Sequence, residues 1–311
     1  MSSLAASLPV RLSRRGVGIA LAFATSVVSG IAVYVNAHGV SRFDDATVYT
    51  TAKNAVAGVL LLFLALPVVR ARKRSERRAT KRQLLGVVTL AAIGGSVPFV
   101  LFFEGLSRAT ATQAAFIHKT LVIWVALLAV PLLREKVGPA HVFAIALVVG
   151  GQAWLAGGPG TVAFGSGEAM VLAATLLWAV EVIVVKRLVT DLEPRMLAAG
   201  RMALGAALLV VWLALSGRAS DLASLDADQW GWALVTGLLL TAYVVTWYEA
   251  LARAQAVDVT AVLVFGAVVT ALLAGTADGV PLDAFGLGLV TAGVALAAVA
   301  SGRQAVGRSV P

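Results

Sequence analysis

Apolar residues in this chain fall into ten blocks, at roughly 16–37, 46–69, 83–105, 110–133, 138–156, 167–188, 195–216, 230–252, 256–276 and 283–301. Each is long enough to cross a hydrocarbon layer about 30 Å thick. The connectors carry turn chemistry, such as Gly157, Gly158, Pro159 and Gly160 in the middle and Ala277, Asp278, Gly279, Val280 and Pro281 near the end. The pattern predicts an all-α polytopic membrane protein with ten transmembrane helices.

Basic residues test that count. With the N-terminus inside, 19 of the 25 Lys and Arg fall on the cytoplasmic side, eight of them between Arg70 and Arg82. The outer connectors hold only Arg42, Arg108 and Arg218, and Lys53, Lys119 and Arg201 fall inside spans. Positive charge collects on the cytoplasmic side of membrane proteins, and a wrong helix count would scramble every later loop, so both termini are expected in the cytoplasm. Arg11, Arg14 and Arg15 ahead of the first block also resemble a signal-peptide start. The apolar core exceeds the usual 7–15 residues of such a signal, so a retained helix is expected.

Composition agrees with the pattern. The chain is 59% hydrophobic and 13% charged, against about a quarter charged in soluble domains. The net charge of +9 is concentrated beside spans, which reads as a topology signal and not as a nucleic-acid site. No Cys is present, and three His without a metal-binding spacing argue against a metal centre. Neither a nucleotide-binding loop nor any cofactor motif occurs.

A repeat runs through the chain. Phe102, Phe103, Glu104, Gly105, Leu106, Ser107, Arg108 and Ala109 recur as Trp247, Tyr248, Glu249, Ala250, Leu251, Ala252, Arg253 and Ala254. Thr25 pairs with Thr175, Lys53 with Arg201, and Leu147, Val148 and Gly151 with Leu289, Val290 and Gly293. A unit with an odd number of spans places its copies in opposite orientations, an architecture common among secondary transporters. The expected organisation is a basic cytoplasmic tail at 1–15, a five-helix repeat at 16–156, a linker at 157–166, a second five-helix repeat at 167–301 and a cytoplasmic tail at 302–311.

The chain resembles the EamA-like branch of the drug/metabolite transporter superfamily over essentially its whole length. The marks are Leu177, Trp178 and Ala179, the Arg134, Glu135, Lys136 turn, and the glycine-rich fifth and tenth helices with Gly150, Gly151, Ala292 and Gly293. The resemblance implies a ten-helix inverted-repeat carrier, with a central cavity lined by helices other than the fifth and tenth, that moves small metabolites. Three departures stand out: Val28 where relatives often carry Trp, Thr276 to Gly279 in place of a charged turn, and His118, Lys119 and Thr120 where relatives are uncharged or carry Pro.

A charge at mid-membrane costs about 2.5–3.5 kcal/mol on insertion scales, so each needs a partner, water or a task. Lys53, Glu104, Lys119, Glu181, Arg201 and Glu249 meet that test. Lys53 and Arg201, related by the repeat, form a candidate clamp for a carboxylate or phosphate, with snorkelling to the headgroups as the alternative. His118 and Lys119 offer a titrating group beside a cation for anion binding or proton coupling. Glu181 is a candidate to neutralise Arg201 or Lys119, to receive an amine or to load a proton. Trp178, Tyr34, Phe116 and Asn54 complete the candidate substrate-binding set. Glu104 and Glu249, with Arg108 and Arg253 one turn on, suit a structural or gating task.

The reading is a secondary transporter in the cell membrane that moves a small polar metabolite, anionic or amino-acid-like, by alternating access. Protons are the candidate coupling ion, and homo-oligomerisation stays open. No residue is assigned a catalytic role. Two rivals remain: a membrane-embedded enzyme acting on a lipid-linked substrate, and a non-transporting sensor or channel.

Overall fold

A computed structural model of the chain describes residues 13–74, 80–106, 108–109, 111–157 and 164–306. Most of the two tails and of the linker, and the basic residues Arg11, Arg77, Arg78 and Arg308, lie outside the described residues. Regular structure among the described residues is helical throughout: α1 (Arg14–Val40), α2 (Ala46–Arg74), α3 (Lys81–Leu106), α4 (Ala111–Lys119 and Leu121–Leu133), α5 (Pro139–Leu155), α6 (Ser166–Leu188), α7 (Pro194–Leu215), α8 (Ala227–Arg253), α9 (Ala256–Leu263 and Gly266–Ala277) and α10 (Ala284–Val306). Among the described residues nine helical segments are long and apolar enough to cross a membrane. The expected fifth crossing is shorter than the others: α5 has 17 residues, roughly 26 Å of rise.

Three of the expected continuous helices are interrupted. In α3, residues Ala91–Ser96 form a π-helical turn, and Ser96 Oγ donates to the Ala91 carbonyl at 3.0 Å. Pro98 has no N–H to return to the residue four before it, so the α-helical ladder fails here. α4 breaks at Thr120, whose amide and hydroxyl both reach back to the Ile117 carbonyl, at 3.1 and 2.6 Å. α9 breaks at Val264 and Phe265, whose amides bond three residues back, to Ala261 and Val262. In the repeat register Phe265 corresponds to Thr120, so the two halves break at the same place.

Helix starts are fixed by side chains that accept orphan amides. Asp226 caps α8 and Thr80 caps α3, each with a Gln three residues on that bonds back. Asp45 accepts from the amides of Thr47 and Val48 at 2.6 and 3.1 Å and pairs with Arg218 from the α7–α8 connection. Burial opposes ionisation there, yet the amides and Arg218 outweigh it and hold the carboxyl below the usual carboxylate range.

Packing exchanges between the halves. α1 lies on α8 and α9 of the second half, as α6 lies on α3 and α4 of the first, while α2 pairs with α7 and α5 with α10. In lipid the apolar side chains gain little from leaving water, so close backbone approach through small residues supplies much of the adhesion. Gly95 on α3 meets Gly205 on α7, where a Cβ on Gly205 would lie 2.7 Å from the Gly95 backbone. Gly30 on α1 meets Gly266 at the α9 break, where a Cβ on Gly266 would lie 3.3 Å from the Gly30 nitrogen.

Overpacking a close contact costs about 1–3 kcal/mol. Gly205→Leu is therefore expected to lower the thermal unfolding midpoint in detergent. Gly150→Leu, where a Cβ meets nothing within 4 Å, is expected to leave the midpoint close to that of the parent chain.

Candidate functional site

The π-turn in α3 prepares the centre of the molecule. With proline at position 98, the Gly94 carbonyl has no α-helical donor four residues on. It accepts instead from Arg201 Nη2 at 2.8 Å and from Trp178 Nε1 at 3.2 Å. The missing Cβ of Gly94 matters as well, because a methyl group there would collide with the Glu181 carboxyl. Arg201 Nε lies 2.5 Å from Glu181 Oε1, and Nη2 donates to Oε2 at 3.2 Å. Tyr248 donates its hydroxyl to Glu181 Oε1 at 2.9 Å. Arg201 and Glu181 are buried, so α3, α6, α7 and α8 meet at an ion pair whose charges cancel.

Lys53 has different company. Its ammonium donates to Asn36 Oδ1 at 2.8 Å, and Tyr49 donates to the same oxygen at 2.6 Å. Asn36 Nδ2 bonds the Ala32 carbonyl at 2.6 Å, which fixes the amide's orientation. The ammonium stands 4.9 Å from the centre of the Tyr49 ring and 5.1 Å from that of Phe103, within cation–π range. In the repeat register Phe103 corresponds to Tyr248 and Lys53 to Arg201. Glu181, however, corresponds to Ile31, so the first half lacks the carboxylate that neutralises the second.

A line of rings joins the two cations. Arg201 lies 5.9 Å from Phe99, Phe99 lies 5.5 Å from Trp178, and Trp178 lies 5.6 Å from Phe102. Phe102 lies 5.4 Å from Phe103, the ring beside Lys53. His118 packs into this line, 5.4 Å from Phe102 and 4.9 Å from Trp178, and its Nδ1 is buried without a hydrogen bond. Lys119 follows as the last residue before the α4 break, not as an interior residue of a continuous helix. Among the described residues no carboxylate pairs with Lys53 or Lys119.

The structure therefore links Lys53, His118, Trp178, Glu181 and Arg201 through the rings and the Gly94 carbonyl of α3. Of the two cations expected to form a clamp, Arg201 is bound to Glu181, whereas no described carboxylate pairs with Lys53. Tyr34 lies away from the group: its hydroxyl donates to Asp278 at 3.0 Å and its ring packs at a tilt against His38, beside the α9–α10 connection. Asn54 is fully buried with both amide atoms unbonded. Phe116 packs with Phe102, Leu106 and Leu172 around Ala114, Ile117 and Val171.

Glu104 pairs with Arg108 at 3.2 Å at one end of the bundle, and Glu249 with Arg253 at the other. Glu249 also faces Arg195 at 3.6 Å and lines an open cavity of about 910 Å³, together with Arg14, Pro67, Asp191 and Ala252.

The family model for the EamA-like transporter family matches residues 16–157 and again 165–299. The chain belongs to the EamA-like transporter family, as a multi-pass membrane protein of two repeats. Among solved structures, one described only as the crystal structure of a protein is similar over 92% of this chain and 98% of its own, with a TM-score of 0.74 and 17% identity. At that identity the likeness speaks for the fold alone. A search of curated proteins found no match.

Sequence reasoning missed Phe99, Asn36, Gly94 and the role of Pro98. The signal for the last two was a Gly-Gly pair four residues before a proline inside an apolar block, which marks a carbonyl without its donor. Removing one partner of a buried ion pair costs about 3–5 kcal/mol, whereas replacing both by apolar groups is often near neutral. Glu181→Leu is thus expected to lower the unfolding midpoint sharply. The double change Glu181→Leu with Arg201→Met is expected to recover most of that loss in the same thermal measurement.

Proposed function

We propose that this protein is a secondary carrier of a small anionic metabolite, working by alternating access between two inverted five-helix halves in the cell membrane. α5 counts as the tenth crossing in this proposal, and both termini face the cytoplasm. The observation that carries it is the imbalance of charge within the spans. Arg201 is neutralised by Glu181, while among the described residues Lys53 and Lys119 have no carboxylate partner. Two uncompensated ammonium groups in an apolar surround favour an anion, and the Phe102, Phe103, His118 and Trp178 rings that lead away from Lys53 offer an apolar wall for the rest of the cargo.

The same imbalance weighs against an amine as the recognised group. Among the described residues the carboxylates in the middle and inner parts of the spans, Glu181, Glu249 and Asp258, are all engaged by arginines. The discontinuous α4 and α9 fit a carrier, since broken helices in such proteins line the cargo path. With no nucleotide-binding motif, transport is facilitated or driven by an ion gradient.

Flux into proteoliposomes tests the proposal, with a panel of carboxylates, phosphate esters, amines and neutral sugars. Saturable uptake is expected for an anion, with Lys119→Ala and Lys53→Ala each cutting uptake at least several-fold while the protein stays monodisperse. Saturable uptake of amines only would overturn the anion assignment. Turnover of a lipid-linked substrate with no flux of any compound would overturn the carrier.

A further inference from the structure

The two cations related by the repeat are held by closely parallel arrangements. Arg201 Nε on α7 lies 2.5 Å from Glu181 Oε1 on α6, and Tyr248 of α8 donates to that oxygen at 2.9 Å. Lys53 on α2 donates to Asn36 Oδ1 on α1 at 2.8 Å, and Tyr49, one turn before Lys53, donates to the same oxygen at 2.6 Å. α1 and α6 are the first helices of their halves, and α2 and α7 the second. In each half, then, one oxygen on the first helix receives a cation from the second helix together with a tyrosine hydroxyl. That oxygen belongs to a carboxylate in one half and to a carboxamide in the other.

Asn36 is locked in the orientation that this requires. Its Nδ2 donates to the Ala32 carbonyl one turn back at 2.6 Å, and a flipped amide would break that bond and set its NH2 against the ammonium. Among the described residues the other close neighbours of the ammonium are the rings of Tyr49 and Phe103. Other buried carboxylates are committed elsewhere. Asp258 on α9 accepts from Arg15 of α1 at 2.6 Å and from Ser301 of α10 at 2.7 Å, and lies 3.2 Å from His141 Nε2 on α5. Glu135 of the α4–α5 turn accepts from the α9 amides of Ala256 and Val257 at 2.7 and 3.1 Å.

A carboxamide oxygen orients an ammonium by a hydrogen bond and leaves its unit charge intact. A carboxylate at the same distance would cancel most of that charge, because charge pairing strengthens as the surroundings lose water. We infer that Asn36 sets the charge selectivity of the Lys53 site: its neutral oxygen holds the ammonium in place and leaves it open to the negative group of a small carboxylate or phosphate cargo. The inference rests on the anion-carrier reading and deepens it, by naming the group that keeps the cation available. Asn36 acts through Lys53, as a positioning residue.

Two substitutions separate charge from structure. Asn36→Asp is isosteric and keeps the oxygen that Lys53 and Tyr49 share, at the loss of the Ala32 bond. Asn36→Leu is uncharged, of similar size, and loses every hydrogen bond of the amide. A purely structural role makes Asn36→Leu the more damaging change in every measurement. Charge selection makes Asn36→Asp the more damaging to anion recognition and the less damaging to the fold.

The first measurement needs no cargo. Thermal unfolding in detergent is followed for the parent chain, Asn36→Asp, Lys53→Met and the double variant, a cycle that isolates the coupling between the two positions. Asn36→Asp is expected to cost several degrees less in midpoint beside Lys53 than beside methionine, because the new carboxylate finds a cation only in the first case. An equal cost in both chains overturns the inference, since the ammonium is then not available to a carboxylate.

The second measurement adds sodium salts of small carboxylates and phosphate esters, with sodium chloride at equal ionic strength as the reference. A ligand that binds the folded chain raises its midpoint. The parent midpoint is expected to rise with at least one of these anions, Asn36→Leu to keep part of the rise, and Asn36→Asp to lose it. A rise kept in Asn36→Asp, a rise lost equally in Asn36→Leu, or no rise in the parent overturns the inference. Where Asn36→Asp is not recovered folded, Asn36→Leu is expected to keep part of the rise and Lys53→Met to lose it, and the converse overturns the inference. Absent flux with both thermal results as expected counts against the carrier and leaves the charge assignment standing. Anion flux that Asn36→Asp leaves unchanged overturns the assignment and leaves the carrier standing.

Discussion

The arrangement at the centre of this molecule depends on one carbonyl oxygen. Pro98 leaves Gly94 without its α-helical donor, and a peptide carbonyl inside a membrane cannot turn to water for a replacement. Arg201 and Trp178 supply the hydrogen bonds from neighbouring helices, and Arg201 then brings Glu181 and, through it, Tyr248. One backbone defect in α3 thus draws α6, α7 and α8 to a common point. The glycines at 94, 95 and 205 are the steric condition for it, since side chains there would hold the helices apart before the hydrogen bonds could form.

That knot also explains why two positions related by the repeat do different work. Lys53 and Arg201 occupy equivalent places, each beside an aromatic residue at the equivalent position of the third or eighth helix. A carboxylate accompanies only one of them. Arg201 has surrendered its charge to structure, while Lys53 is held by a neutral amide and two rings, which position an ammonium without cancelling it. Symmetry supplies the framework and its local failure, Ile31 opposite Glu181, creates the electrostatic difference on which the proposed anion site depends.

Much of the architecture was legible in the chain because it is written in composition and period. Ten apolar blocks, the repeat through Glu104 and Glu249, and the family marks all depend on residue type over long stretches. The candidate site was legible only in part. Charges inside spans announce themselves by their cost, so Lys53, Lys119, Glu181 and Arg201 stood out. Who pairs with whom did not, because Arg201, Glu181 and Gly94 are far apart in the chain and meet only through packing. The break at Thr120 was hidden too, since it carries neither glycine nor proline, and Gly266 beside the Phe265 break is one glycine among many in the apolar blocks. Asp258 escaped notice because a carboxylate three residues into a helix looks like an ordinary first-turn acid.

The two charge clusters differ in a way that bears on how such a protein moves. The Arg201 and Glu181 pair lies within the second half and touches the first only through the Gly94 carbonyl and the rings of α3. A rocking motion of one half against the other can therefore preserve the ion pair. The Asp258 cluster spans the halves, with Arg15, His141 and Glu135 on one side and α9 on the other, so the same motion must break it. Interactions kept throughout a transition set stability, whereas those made in one state alone set the balance between states. By that criterion the central pair is a contact kept within one half, and the Asp258 cluster is a contact between the halves.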